Sequence, residues 1–335
     1  MADQDSLRPN GSAYTLSQIS RYLSYVGLDE SYHPSSSPVL DLEYLTTIFQ
    51  AQITSFPYEN LSIHYNPSHS ILLDPQHLFT KLITSPRRGR GGYCMELSIF
   101  FSHILRALGF ASIHYSGVRN RNRTDGTPQG PYNGYVHLVN IVTLPGCPQQ
   151  YVLDAGFGGD GPTFPLPLTE HLVHRNSLGT QEIRYIRDWL PDQRFRDETK
   201  GALKHWIYEY RNAPDKPWNG YYAFVPEHEF TELDFENLNV YLSECKRNHQ
   251  TYTVLVIRFL KGEEEEGEAS GRKIRGKVMM VQGEVKQNLG GRTELVKVCK
   301  TEEERTETLK DLFGIDLTEE EKGAIKGWAS ELKGE

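Results

Sequence analysis

The apolar residues of this chain change their spacing at Gly109, and that change limits the architectures it can adopt. Before it they recur every three to four positions: Ile19, Leu23 and Val26, then residues 40–53, then Leu97, Phe100, Phe101, Ile104, Leu105 and Leu108. The last set forms one helical stripe that Gly109 closes as a C′ residue. After Gly109, β-branched and aromatic segments at 112–118, 135–142, 150–154, 205–210 and 251–260 read as strands. Pro/Gly-dense turns are expected at 126–134, 145–148 and 156–167. Helices followed by hairpin-linked strands make an α+β protein whose middle third is a largely antiparallel sheet or barrel. Elsewhere, residues 1–13 read as disordered, 57–72 as a loop, and 78–83 as a short helix halted by Ser85-Pro86. Residues 261–272, with Glu263 to Glu266, read as a solvated hairpin loop. Thr318 and Glu321 form a capping box for a last helix whose apolar face includes Ile325, Trp328 and Leu332.

Bulk properties exclude several functions. A formal charge of -8 over 335 residues argues against a nucleic-acid binder, which shows a dominant basic face. The first residues are polar, without the apolar core of a signal peptide, and apolar runs fall far short of a spanning helix. No membrane association is expected. Cys94, Cys147, Cys245 and Cys299 lie far apart with no CxxC pair, so neither disulfides nor a bound metal is expected and a cytoplasmic location is.

In a reducing compartment a lone cysteine in a special setting is a candidate nucleophile. Residues 87–92, RRGRGG, form a basic, glycine-rich loop that runs directly into the helical stripe, so Cys94 sits at or beside a helix N-terminus. The thiolate is the reactive form, and the helix end, Arg87, Arg88 and Arg90 all favour it. A histidine delivered from elsewhere would complete an ion pair. His103 lies on the same helix, about 13 Å along the axis, and cannot reach the sulfur. His114 and His205 remain open. His137 is better placed, because it interrupts a strongly apolar strand on the face of Val139 and Ile141. The next strand ends in Asp154. If the two strands pair through the turn at 145–148, Asp154 returns beside His137, where a carboxylate would orient the imidazole.

These residues resemble one family closely, the arylamine N-acetyltransferases. The nucleophile motif stands as Arg90-Gly-Gly-Tyr-Cys-Met-Glu-Leu-Ser98, and Phe56-Pro-Tyr-Glu-Asn-Leu61 and Val152-Leu-Asp-Ala-Gly-Phe-Gly158 match further motifs. Residues 165–168, 231–241 and 313–317 extend the likeness over about residues 15–318. The resemblance implies an N-terminal helical bundle with the nucleophile (1–110), a central antiparallel β-barrel (111–205), an interdomain segment (206–240) and a C-terminal α/β lid (241–335), around a cysteine-protease-like core. It implies a Cys94–His137–Asp154 triad and ping-pong acyl transfer from acetyl-CoA or another acyl-CoA to an arylamine, arylhydrazine or related xenobiotic amine. Tyr58, Tyr93 and Phe157 would line the substrate pocket, and Asn133 and Gly134 would contact coenzyme A. The arginines at 87–90 would meet either coenzyme A phosphates or buried acids.

Some positions depart from the family pattern. Ser98 replaces a frequent asparagine, and Tyr58 replaces phenylalanine, adding a hydroxyl to the pocket. Residues 243–252, SECKRNHQTY, lack an expected proline but contain the basic pair Lys246 and Arg247, and residues 171–204 look expanded. Fungal members that prefer malonyl donors leave the acyl group open. A papain- or transglutaminase-like hydrolase using the same triad is the competing reading, and a non-catalytic binding protein on the same scaffold a third.

Overall fold

The computed structural model describes residues 8–84, 88–124, 126–177, 179–201, 204–262 and 274–334. The first third is helical: α1 (Leu16–Val26), α2 (Leu42–Ser55), α3 (Leu61–Tyr65), α4 (Pro75–Phe79) and α5 (Cys94–Leu108). Asp41 caps α2 by accepting the Tyr44 N–H at 2.9 Å. Helix α2 stops at Ser55 because Phe56 precedes Pro57 and is forced extended, at φ -115°, ψ 110°. Helix α5 is the centre of the molecule, with every residue but Arg106 buried. Residues 8–13, expected to be disordered, dock on it instead. Ser12 Oγ donates to His103 O at 2.8 Å, and the Ala13 N–H donates to His103 Nδ1 at 3.0 Å.

The extended Phe56-Pro57 leads into a strand that sequence missed within the expected loop 57–72. This strand, β1 (Tyr58–Glu59), and α3 immediately after it belong to the C-terminal part of the fold. There a five-stranded antiparallel sheet runs in the order β1, β10 (Leu255–Lys261), β11 (Ile274–Val281), β12 (Glu284–Asn288), β13 (Thr293–Val298). Helix α7 (Glu302–Phe313) packs with it around Val256, Met280, Val285, Leu309 and Phe313, joined by Leu61 and Tyr65 of α3 and by Ile325, which follows α8 (Glu319–Ala324). The capping box at Thr318 forms as expected, but α8 ends at Ala324. Gly327, at φ +82°, turns the chain, so Trp328 and Leu332 reach the same core from beyond the helix.

Between these parts lies an eight-stranded antiparallel sheet of β2 (Ile113–Thr124), β3 (Thr127–Thr143), β4 (Gln150–Leu153), β5 (Leu166–Pro167), β6 (His174–Arg175), β7 (Glu182–Asp188), β8 (His205–Arg211) and β9 (Asn219–Phe224). Its order is β5-β4-β3-β2-β9-β8-β7-β6. Leu166 of β5 and Tyr185 of β7 share one core cluster although six ladder steps separate them, roughly 29 Å in a flat sheet. The sheet is therefore curled on itself. Strands β8 and β9, with α6 (Glu232–Glu244) after them, occupy the segment 206–240 expected between domains.

The expected turn at 126–134 is mostly strand. Its prolines, Pro128 and Pro131, are tolerated because this half of β3 pairs only with β2; β4 joins β3 at residues 140–143 alone. Two calls lie outside the described residues, the helix stop at Ser85-Pro86 and the acidic run Glu263–Glu266.

Candidate active site

Cys94 is the first residue of α5 and 5% exposed. The loop before it is clamped to β1: the Gly92 N–H donates to Pro57 O at 3.3 Å, and the Glu59 N–H donates to Gly92 O at 2.9 Å. A Cβ on Gly91 would stand 1.8 Å from Pro57 O, so only glycine permits this approach. On the other side, a Cβ on Gly156 would stand 2.6 Å from Cys94 Cα and 2.8 Å from its carbonyl oxygen. The nucleophile's backbone thus rests directly on the turn that follows Asp154. Both atoms a methyl would strike are main chain, and neither can swing aside. Gly156→Ala is expected to move Cys94 enough to slow its chemistry about 100-fold. Alkylation of Cys94 with a melting curve on the same sample checks this, and an unchanged rate would show that the backbone gives way.

The strand pairing foreseen from the sequence occurs. Asn140 lies opposite Leu153 and Ile141 opposite Val152, which brings Asp154 back to His137. His137 Nε2 is 3.0 Å from each Asp154 carboxylate oxygen, and the Gly156 N–H donates to Oδ1 at 3.4 Å. Asp154 thereby occupies Nε2 and leaves Nδ1 to the other side of the ring, where the charge of Cys94 also favours the protonated imidazole. The sulfur also lies 4.0 Å from Val136 O. Burial by itself would lower the imidazole pKa. The Asp154 charge and hydrogen bond, followed by Cys94, outweigh it and raise His137 to about 10. A sulfur, an imidazolium and an orienting carboxylate in this sequence can attack a carbonyl and return a proton to the leaving group. The other candidate bases stand elsewhere: His114 bonds Pro226 O at 2.9 Å, and His205 lies on β8 opposite Asp188 of β7.

The loop arginines stand otherwise than their position suggests. Arg90, 7% exposed, bonds Glu59 Oε1 at 2.9 Å and Glu321 Oε1 at 2.6 Å, and Arg88 pairs with Glu321. Lys81 joins Glu59 to Glu96, and Glu96 Oε2 accepts the Tyr93 N–H at 3.0 Å. Both arginines are engaged by acids, Arg90 by buried Glu59 and half-buried Glu321, and Arg88 by Glu321. Burial pushes the Glu59 carboxyl up, but Arg90 and Lys81 hold it down to about 2. Arg87 lies outside the described residues.

Of the expected pocket residues, Phe157 is half-buried with its ring centroid 5.2 Å from that of His137 and 4.5 Å from that of Tyr221. Tyr58 is half-buried on β1, its hydroxyl accepting from Gln250 Nε2 at 2.8 Å. Tyr93 is fully buried and donates to Asn239 Oδ1 at 2.5 Å. Asn133 and Gly134 lie within β3. Asn133 bonds Asn122 at 2.9 Å through its side chain and accepts from Arg119 at 2.8 Å through its carbonyl, while Gly134 borders open space. Lys246 and Arg247 are exposed. Tyr221, Gln250 and Gly156 were missed. Only Gly156 left a local signal, as one of three glycines just after Asp154. Among the described residues no His/Cys/Asp/Glu group could hold a metal, and no helix is long and apolar enough to cross a membrane.

Comparison with known proteins bears on this arrangement. A family model described as N-acetyltransferase matches residues 41–322. An N-malonyltransferase, FDB2, of Fusarium pseudograminearum (strain CS3096) is 30% identical over 94% of this chain and 93% of its own length. Arylamine N-acetyltransferase 2 of Rattus norvegicus is 32% identical over 63% of this chain and 68% of its own. The fold is that of the arylamine N-acetyltransferase from Mycobacterium abscessus, with a TM-score of 0.71 at 20% identity over 92% of this chain and 93% of the other. It is also that of Mycobacterium marinum arylamine N-acetyltransferase in complex with CoA, with a TM-score of 0.68 at 21% identity over 92% and 97%.

Proposed function

Because the chain belongs to the arylamine N-acetyltransferase family, we propose that it transfers a short acyl group from an acyl-CoA to an aromatic amine or hydrazine through a thioester on Cys94. The observation that carries this reading is the buried run from Cys94 through His137 to Asp154. In the first half-reaction Cys94 Sγ forms a bond to the acyl carbonyl carbon and the bond from that carbon to the coenzyme A sulfur breaks. His137 gives its proton to the departing thiolate. In the second, the amine nitrogen attacks the Cys94 thioester, His137 takes a proton from it, and the Cys94 thiolate leaves. One thioester replaces another in the first step, so the acyl-enzyme can accumulate. Phe157, with Tyr58 across the opening, would hold a flat acceptor over the thioester. An amine of low basicity suits the second step because it is neutral at pH 7. Gly134, open to solvent three residues before His137, would leave room for the coenzyme A chain.

The donor has a second reading beside acetyl. The relative that matches nearly this whole chain is an N-malonyltransferase, whereas the rat arylamine enzyme matches 63% of it. Intact mass after mixing with acetyl-, propionyl- and malonyl-CoA, without acceptor, tests both. An adduct that is absent in Cys94→Ala is expected, and the heaviest-labelled species names the donor. Failure of every donor to label the protein would reject the transfer mechanism. Rapid loss of the adduct to water would favour the hydrolase.

A further inference from the structure

The turn that carries Phe157 has little of its own to hold it. Between Asp154 and Pro162 it contains Gly156, Gly158, Gly159 and Gly161, and Gly158 stands at φ +84°. Glycine loses more conformational freedom on ordering than any other residue, so a fixed place for the Phe157 ring needs contacts from outside the turn. The ring itself meets His137, Tyr221 and Tyr222, at 5.2, 4.5 and 5.1 Å between ring centroids.

Polar contacts converge on Asp160, three residues further on. One carboxylate oxygen pairs with Arg123 of β2, which also donates to Tyr221 Oη at 2.6 Å. The other accepts from Lys277 Nζ of β11 at 2.9 Å and from Gln181 Nε2 at 3.2 Å. The Asp160 carbonyl accepts from Tyr208 Oη of β8 at 2.8 Å, and Lys277 Nζ donates as well to Gly159 O. Gln181 belongs to the segment 171–204 that looks expanded in the sequence. Its Oε1 accepts from Asn176 at 2.7 Å, and Asn176 donates to Gly161 O at 3.1 Å.

Among these partners Lys277 comes from the C-terminal sheet. Alternation along β11 puts it on the side of Arg275, Met279 and Val281, away from the core residues Val278 and Met280. Arg275 and Val281 are exposed, yet Lys277 is only 5% exposed, because the turn lies on it. Ladder pairing sets Met279 opposite Ile257, and Ile257 opposite Tyr58, so these share the face of Lys277. A Cβ on Gly158 would stand 2.7 Å from Ile257 Cδ1. One face of the sheet therefore reaches the turn on both sides of Gly159, through Ile257 and through Lys277.

We propose that Lys277, acting through Asp160, is a positioning residue that sets where the Phe157 ring stands beside the acyl-enzyme, and so governs transfer to flat aromatic acceptors. The proposal rests on Cys94 being the acyl carrier and Phe157 the acceptor wall. Loss of the ammonium would leave the Asp160 carboxylate with Arg123 and Gln181 and release Gly159 O, and the glycines would then let the ring wander.

Measuring the two half-reactions apart tests this. Wild type, Lys277→Met and Lys277→Arg are acylated with acetyl-CoA or malonyl-CoA, without acceptor, and the Cys94 adduct is counted by intact mass. Each acyl-enzyme is then mixed with aniline or with hydrazine, which carries no ring. Lys277→Met should acylate as wild type does and keep its rate with hydrazine, but transfer to aniline about 10- to 100-fold more slowly. Lys277→Arg should restore most of that loss. Because the lysine acts through the ring, Phe157→Ala with Lys277→Met should be no slower toward aniline than Phe157→Ala by itself. Asp160→Asn, which keeps the shape, should show the same split between acceptors, so a folding failure of one variant leaves the other to decide. Equal losses with both acceptors, or losses that add in the double variant, would place Lys277 in the general fold and overturn the proposal. No adduct on wild type with either donor would reject Cys94 as the carrier, and the proposal with it.

Discussion

Asparagine at position 154 is expected to slow acylation of Cys94 by about 10³- to 10⁴-fold. The carboxylate accepts from His137 Nε2 through both oxygens at 3.0 Å, which dictates that the nitrogen facing the sulfur carries the lone pair when the ring is neutral. An amide offers an N–H donor in the same place. The ring then takes the opposite tautomer, with a proton aimed at the sulfur it should receive one from. Rapid-mix measurement of coenzyme A release checks this, and a loss of less than about tenfold would show that Asp154 merely packs there. Stability should follow a definite pH course. His137 is raised from 6.5 to about 10, so the pair's contribution is complete below about pH 6.5 and disappears as pH climbs through 10. The stability gap between wild type and Asp154→Asn should therefore be widest near pH 6 and close toward pH 10 in urea titrations.

Arg90→Ala is expected to cost about 3–5 kcal/mol of folding stability, the effect of stranding a buried charge. Glu59 is fully buried and would keep, as a charged partner, Lys81 3.7 Å away in place of the 2.9 Å bond from Arg90, beside the Leu61 N–H at 2.6 Å. The acid limb should move as well. With its carboxyl held near 2, Glu59 stabilises the native state above the ordinary carboxylate range and loses that contribution as pH falls toward 2. Without Arg90 the loss should begin at higher pH. Urea unfolding at pH 7 and an acid titration read the two effects. A change under about 1 kcal/mol would mean that water reaches Glu59 in the variant.

The meeting of Cys94, His137 and Asp154 was legible in the sequence because each breaks a strong local pattern. A cysteine ends a glycine run, an imidazole interrupts an apolar strand, and an acid closes the next strand ahead of a turn. Tyr93 was misread, since adjacency to the nucleophile says nothing of direction: the helix start turns its ring toward Asn239 of α6. Of the two roles open to the arginines, Arg88 and Arg90 take the pairing with acids. Their basic spacing is local, but Arg90 finds its acids at Glu59 and Glu321, at separations of 31 and 231 residues that no motif records. Strand β1 escaped because two residues carry no period; only the ladder with β10 makes them a strand. The turn expected at 126–134 failed because proline is barred from paired ladders alone, and one side of β3 is unpaired there.

Strand β1 has a consequence for the order in which the protein becomes active. Tyr58 pairs with Ile257, and the same residue bridges Gly92 in the loop before Cys94. The nucleophile's platform is thus finished only when chain emerging long after it has been made. At about 5–20 residues per second, roughly 8–30 s of synthesis separate Gly92 from the arrival of β10. During that interval Cys94 has its helix but lacks the strand that pairs with the segment beside its loop. Assembly of the thiol's surroundings becomes a late event, coupled to the arrival of the C-terminal sheet and not to folding of the helices that carry it.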